Sequence, residues 1–167
     1  MTDAKKTSGH RAYDIRRELV AAVAAGDVGR CETILLWGPE LFPSVGQLRQ
    51  VVNARQADQG ALLHEAARQG NPDLIRLLIV YEAEVDARDS QGNTPLHQAM
   101  AAGHERAMWA LVDVGKADTC APNAEGLEPL LQGYLALRSQ PDHENIARTI
   151  CALVQCAGMQ HAKMIRE

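Results

Sequence analysis

Apolar residues recur at helical spacing from Ile15 onward, with Leu19, Val20 and Val23 on one face. Gly26-Asp27 breaks that run, and a second helix is predicted from about Val28 to Leu36. Residues 1–14 are polar, carry Ser8-Gly9 and read as a frayed leader. From Trp37 to Ser44 the prolines Pro39 and Pro43 forbid a continuous helix, so the path to Val52 is long, with room for a short helix around Val45–Val51. Downstream, Gly70 and Gly103 each punctuate a helix pair. A last pair is predicted at about Pro129–Leu137 and Ile146–Ala157. Its connection, Arg138 to Glu144, is longer, so that the step from Leu111 to Leu153 exceeds the step from Leu78 to Leu111. Such an insertion normally leaves a repeat array as a loop on one face.

The pattern repeats without a gap. Thr94-Pro95-Leu96-His97-Gln98-Ala99, followed by Gly103, is answered one period of 33 earlier by Ala61-Leu62-Leu63-His64-Glu65-Ala66 and Gly70. Val52, Asn53, Ala54 and Arg55 pair with Val85, Asp86, Ala87 and Arg88. A third copy, Ala121 to Leu130, matches Ala87 to Leu96 at a distance of 34, with Leu131 where His97 stands. A weaker half-copy opens the chain between Leu19 and Leu35. Within the best copy each residue has a mechanical role. Gly92 allows positive φ in the turn, Thr94 offers a hydroxyl to cap the next helix, and Pro95 suits the first helical position, whose N–H has no partner anyway. Gln59, Ala61 and Leu62 replace these three in the earlier copy, so that turn is expected to be less sharply specified, with Gly60 taking the glycine role one place later.

These residues resemble the ankyrin repeat family, over roughly residues 15 to 158 and most strongly between 52 and 120. The resemblance implies an all-α solenoid of about four stacked helix-turn-helix units joined by short β-hairpin-like finger turns. The units are expected at about 15–47, 48–88, 89–121 and 122–158, with a tail over 159–167. It also implies that His64 and His97 act as structural staples, each tying its unit to backbone of the adjoining turn. Most characterised members of this family act by binding other proteins.

Composition agrees with such a stack. The chain of 167 residues is 46% hydrophobic but only 4% aromatic, which predicts thin Leu/Ile/Val/Ala layers between units rather than one aromatic centre. A formal charge of -4 argues against a general nucleic-acid surface. Lys5, Lys6, Arg11, Arg16 and Arg17 are interspersed with other residues and read as a solvated face. No stretch has the apolar length of a membrane span, and the N-terminus leads into no signal core. The chain is therefore expected to be cytoplasmic, with nuclear residence equally compatible. Cys31, Cys120, Cys151 and Cys156 are spread over three units without a tight disulfide pattern and are expected as reduced thiols.

Candidate chemistry is thin. His64-Glu65, His104-Glu105 and His143-Glu144 each lack the second histidine of a zinc helix, since Arg68, Met108 and Ala147 stand in its place. Cys151, Cys156 and His161 are five apart, which scatters them around a helix rather than converging them on a metal. No phosphate loop, dinucleotide fingerprint or Gly-x-Ser-x-Gly occurs, and no cofactor is expected. Glu82, Glu84, Asp86 and Asp89 alternate with apolar residues and read as the solvated side of a finger. An enzyme or small-ligand site in the groove is the rival reading, and it would draw on Tyr134, His97 and Cys120.

What remains is surface. By the resemblance, partner-binding positions are the finger tips and the exposed side of each first helix: Arg55, Ala57, Asp58, Gly60, Arg68 and Gln69 in one unit, then Arg88, Ser90, Gln91, Asn93, Ala101 and Ala102. In the next unit they are Pro122, Ala124, Glu125 and Leu127. Arg55 and Arg88 would sit about 10 Å apart, one unit spacing, and could ladder against carboxylates or pair locally with Asp58 and Gln91. Trp109 replaces Arg76 by alignment, and either anchors a second interface or packs under the 138–144 loop. The chain thus reads as a noncatalytic adaptor, inhibitor or regulatory subunit, a monomer or weak homodimer, that binds another protein.

Overall fold

The computed structural model describes residues 15–36, 45–54, 60–139 and 144–164, with side chains at 45–47 and 156–164 left out. The expected leader, the two-proline connection, the finger residues Arg55, Ala57 and Asp58, and the centre of the 138–144 loop lie outside the described residues.

The described chain is all-α. Helix α1 covers 15–24, α2 runs Val28–Leu36 and α3 runs Val45–Val52. Next come α4 (Leu62–Gln69) and α5 (Pro72–Val80), then α6 (Pro95–Ala102) and α7 (Glu105–Trp109), which passes into one π-helical turn, Ala110–Val114. The last pair is α8 (Pro129–Ser139) and α9 (Glu144–Met164). Helices α4, α6 and α8 pack side by side in one row; α2, α5, α7 and α9 contribute to the row behind it. No strand forms among the described residues.

Burial follows the repeat. Leu62, Leu63, Ala66, Ala67, Leu74, Ile75 and Leu78 are buried in one unit, and Leu96, Ala99, Met100, Ala107, Met108 and Leu111 in the next. Each helix pair is too thin to bury its own apolar face, so stability comes from neighbours in contact along the array. The small side chains let helices approach closely. At Gly70, where α4 ends with φ +71, an added Cβ would lie 2.5 Å from the His104 ring of the following unit.

The lengthening of the period from 33 to 34 has a structural cause. Glu82 and Lys116, both at positive φ (61° and 57°), are equivalent positions 34 apart, whereas Leu78 and Leu111 are 33 apart. One extra residue therefore lies between Leu111 and Lys116. The π turn absorbs it: Gly115 N donates to Ala110 O at 3.3 Å and Ala117 N to Leu111 O at 3.1 Å, widening the helix where the insertion falls.

Helix ends differ from expectation in two places. The apolar spacing ends the last helix at Ala157 before a tail, but α9 continues to Met164. Residues 159–164 hold good helix formers and no proline, and Gly158 alone costs only about 1 kcal/mol against alanine. Helix α8 likewise extends from Leu137 to Ser139, whose hydroxyl donates to Leu135 O at 3.0 Å.

Candidate interaction surface

Two histidines close the units onto one another. Thr94 N donates to Nδ1 of His97 at 3.1 Å, and the same ring's Nε2 lies 2.9 Å from Leu127 O in the next unit. A backbone N–H can only donate and a carbonyl can only accept, so Nδ1 is bare and Nε2 carries the proton. His64 repeats the arrangement, with Ala61 N at 3.2 Å and Asn93 O at 2.9 Å. Burial pushes both rings below the ordinary histidine range, against the opposing pull of Asn93 O on His64 and Leu127 O on His97. The staple role is therefore what the geometry shows.

The rings also take part in the helix starts. The Thr94 hydroxyl lies 2.9 Å from Nδ1 of His97, so the imidazole closes this cap together with threonine. At Ala61, which has no hydroxyl, His64 closes the cap alone. The ring thus satisfies the same backbone donor in both units, while the turn before Gly60, at 55–59, lies outside the described residues.

The fingers are built on Asx turns. Asp89 Oδ1 accepts from Gln91 N at 2.9 Å and Asn93 N at 2.8 Å. Asn123, its counterpart in the next unit, accepts from Glu125 N at 3.0 Å and Leu127 N at 2.9 Å. Each tip then reverses through a backbone bond, Gly92 N to Asp89 O and Gly126 N to Asn123 O. Gly92 has φ +75, and a Cβ there would lie 2.6 Å from Ala124 N, so the site needs glycine for both turn and close approach. Gly60 takes φ +74, in keeping with its expected role.

Three contacts lock the two tips together, and a fourth steadies Arg88 within its own finger. Ala124 N donates to Gln91 O at 3.1 Å, Asn123 Nδ2 to Asn93 Oδ1 at 2.9 Å, and Arg88 Nη1 to Gly92 O at 3.0 Å and to Pro122 O. Two expected contact residues thus have partners within the fold. Asn93 is buried, and its amide is spent between Asp89, Gln91 and Asn123. Arg88, though exposed, uses its guanidinium as a brace between fingers, and it pairs with backbone oxygen rather than with Gln91.

The remaining tip positions are outward. Ser90, Gln91, Pro122, Ala124 and Glu125 are exposed, and Leu127 is half-buried. On α4, Arg68 is exposed and bonds Glu65 through two nitrogens, at 2.9 and 2.6 Å. Burial pushes the Glu65 carboxyl up, but hydrogen bonds from Arg68 and Gln69 and the arginine charge outweigh it and hold the group below the usual range. Gln69 is half-buried and reaches back to Val23 O and Ala24 O at 3.0 and 3.1 Å, tying α4 to α1. Ala101 and Ala102 are half-buried on α6. Trp109, expected outward or beneath a loop, is half-buried and packs against the hydrophobic core.

The three residues of the rival reading each have a setting of their own. Both ring nitrogens of His97 are engaged, Tyr134 faces outward on α8, and Cys120 is exposed in the loop before Ala121. Two surface depressions lie elsewhere among the described residues, one of about 390 Å³ against Arg17, Glu18, Ala21 and Arg30, another of about 370 Å³ beside Glu105, Arg148 and Cys151. His64 and Glu65, adjacent in sequence, point to different partners. Among the described residues no helix is long and apolar enough to cross a membrane.

Similar proteins match this chain over stretches of different length. The chain is 41% identical over 66 residues to the human protein phosphatase 1 regulatory subunit 27, covering 40% of this chain and 42% of that protein. It is 33% identical over 96 residues to the Arabidopsis thaliana E3 ubiquitin-protein ligase KEG, 57% of this chain but 6% of the ligase. With the human ARF GTPase-activating protein GIT1 it shares 30% over 138 residues, 82% of this chain and 15% of that protein. The chain thus spans less than half the length of each relative, and their names describe unlike activities. The family profile "Ankyrin repeats (3 copies)" matches residues 19–124 and again 63–159. With its period of 33, its histidine staples and its stacked helix pairs, this chain belongs to the ankyrin repeat family.

Proposed function

We propose that the chain is a noncatalytic adaptor, inhibitor or regulatory subunit that holds a protein partner against its finger tips and the adjoining faces of α4 and α6. The observation that carries this is the cross-bracing of the two fingers. Ser90, Gln91 and Glu125 are exposed, yet the backbone beneath them is fixed by Arg88, Asn93 and Asn123. A surface that is already ordered loses little conformational entropy on binding. Arg68, Gln69 and Leu127 would flank the contact, with Arg55 and Asp58 as its extension one finger earlier. A cytoplasmic or nuclear partner would fit equally. The regulatory-subunit relative supports the same class of role.

The test is affinity capture with mass spectrometry, comparing the wild type with a Ser90→Arg/Glu125→Arg tip variant and with Arg17→Glu on the far end of the stack. Proteins lost with the tip variant and retained by Arg17→Glu are the expected result. Capture that is indifferent to the tips would move recognition away from the fingers.

A further inference from the structure

Helix α8 carries an apolar stripe on its open side. Leu131, Tyr134 and Leu135 are 44%, 56% and 38% exposed, and Val154 on α9 is 51% exposed. These are not ordinary surface positions. Leu131 stands where His97 stands one unit earlier, Tyr134 where Met100 stands, and Val154, by the wider offset that pairs Leu153 with Leu111, where Val112 stands. His97, Met100 and Val112 are all buried. The open face therefore stands, by position, where the preceding helix pair receives its neighbour, and the side chains it exposes are apolar.

The stripe is also complementary to itself. Glu128, whose carbonyl accepts the first bond of α8 from Gln132 N, and Arg138 in its last turn are both exposed. Positions 128, 131, 135 and 138 follow the three-four-three spacing of a helix seam, with Tyr134 beside it and the buried Gly133 on the opposite side. Two such helices laid antiparallel about Gly133 bring Leu131 of each against Leu135 of the other, and Glu128 of each against Arg138 of the other. The opposite end of the stack exposes Arg17, Glu18, Arg30 and Glu32. Head-to-tail stacking would bury those charges against leucine and tyrosine, so the fit favours an isologous pair.

We propose that this face binds a second copy of the chain, α8 against α8, in a two-fold end-to-end dimer. The contact is small and so lies at the weak end of specific interfaces. It does not involve the finger tips and stands independently of their proposed role.

Sedimentation of the full chain from about 10 to 500 μM, a range that spans weak association, tests it. The wild type should pass from monomer to dimer. Leu135→Glu, at an exposed position, should keep its helicity and melting temperature while dimerising at least about tenfold more weakly. Glu128→Arg and Arg138→Glu chains should each self-associate less than wild type, yet form a mixed dimer when combined, because each then meets opposite charge at both ends of the seam. A wild type that stays monomeric would overturn the proposal. So would a dimer unaffected by Leu135→Glu, or charge variants that fail to recover on mixing.

Discussion

The ring Nε2 of His97 lies 2.9 Å from the carbonyl oxygen of Leu127, and His64 meets Asn93 O at the same distance one unit earlier. Each histidine reaches forward into the following finger. At the third equivalent position, Leu131 follows the last described finger and faces outward.

The protonation state of these rings makes the fold sensitive to acid. A backbone N–H already points at Nδ1, so a second proton there is opposed, and both rings titrate below the ordinary value near 6.5. Because the unfolded chain takes up these protons first, the stabilisation is whole above about pH 6.5 and is lost as pH falls toward the lowered folded values, at up to about 1.4 kcal/mol per pH unit for each ring. Thermal melts between pH 7.5 and 5 should show the decline, and His97→Gln should flatten it. An unchanged slope in that variant would place the titration elsewhere.

Removing the staple should cost stability without repositioning helices. His97→Ala leaves Leu127 O and Thr94 N without the ring, and a loss of about 1 to 3 kcal/mol is expected in urea unfolding. Leu131→Ala, at the equivalent but exposed site, should cost under about 0.5 kcal/mol.

Asn123→Ala should loosen the finger more than the domain. It deletes the acceptor for Glu125 N and Leu127 N and the donor to Asn93, for a loss of about 1 to 2 kcal/mol. Hydrogen exchange should quicken at Glu125 and Leu127 while α5 amides stay protected. Asn123→Asp keeps the acceptor and loses the donor, so its exchange should fall between the two.

The thiols should separate by reactivity. Burial, with the nearby Asp27 charge, raises Cys31 to about 11, whereas Cys120 and Cys151 are exposed. In native protein an alkylating reagent should modify the latter two first and reach Cys31 only on unfolding. Early modification of Cys31 would mean that the contact around α2 opens readily.

The period of 33 made the helix pairs and the glycine breaks legible, because each rests on a residue type whose local chemistry leaves few alternatives, and the resemblance to the ankyrin family supplied the histidine staples. Helix α2 and the short α3 followed from apolar spacing and the flanking prolines alone. The direction of polar side chains within a finger was not legible in the same way. Arg88 and Asn93 resemble contact residues in sequence, yet the next finger supplies Pro122 O, which draws in Arg88, and the Asn123 amide, which donates to Asn93. A signal was present: Asp89 and Asn123 each stand three places before a glycine, the mark of an Asx turn whose neighbours are turned toward its oxygen. The outward face of α8 was harder still, since Leu131, Tyr134 and Leu135 read as core by type and only the absence of a neighbour over them among the described residues reveals otherwise.

The π turn at Ala110–Val114 keeps a local accident local. In an unbroken α-helix, one added residue swings everything after it by about 100°, which would have turned the Asn123 finger out of reach of the Asn93 amide and pointed α8 in another direction. By widening a single turn, the helix takes up the surplus within its own last stretch and hands the chain on in phase, so that Asp118 N still finds Asp86 Oδ1 at 3.0 Å as Glu84 N finds Asn53 Oδ1 in the unit before. Repeat length in this array is accordingly free to drift by one wherever a helix end can bulge, while the alignment of its fingers is inherited unchanged.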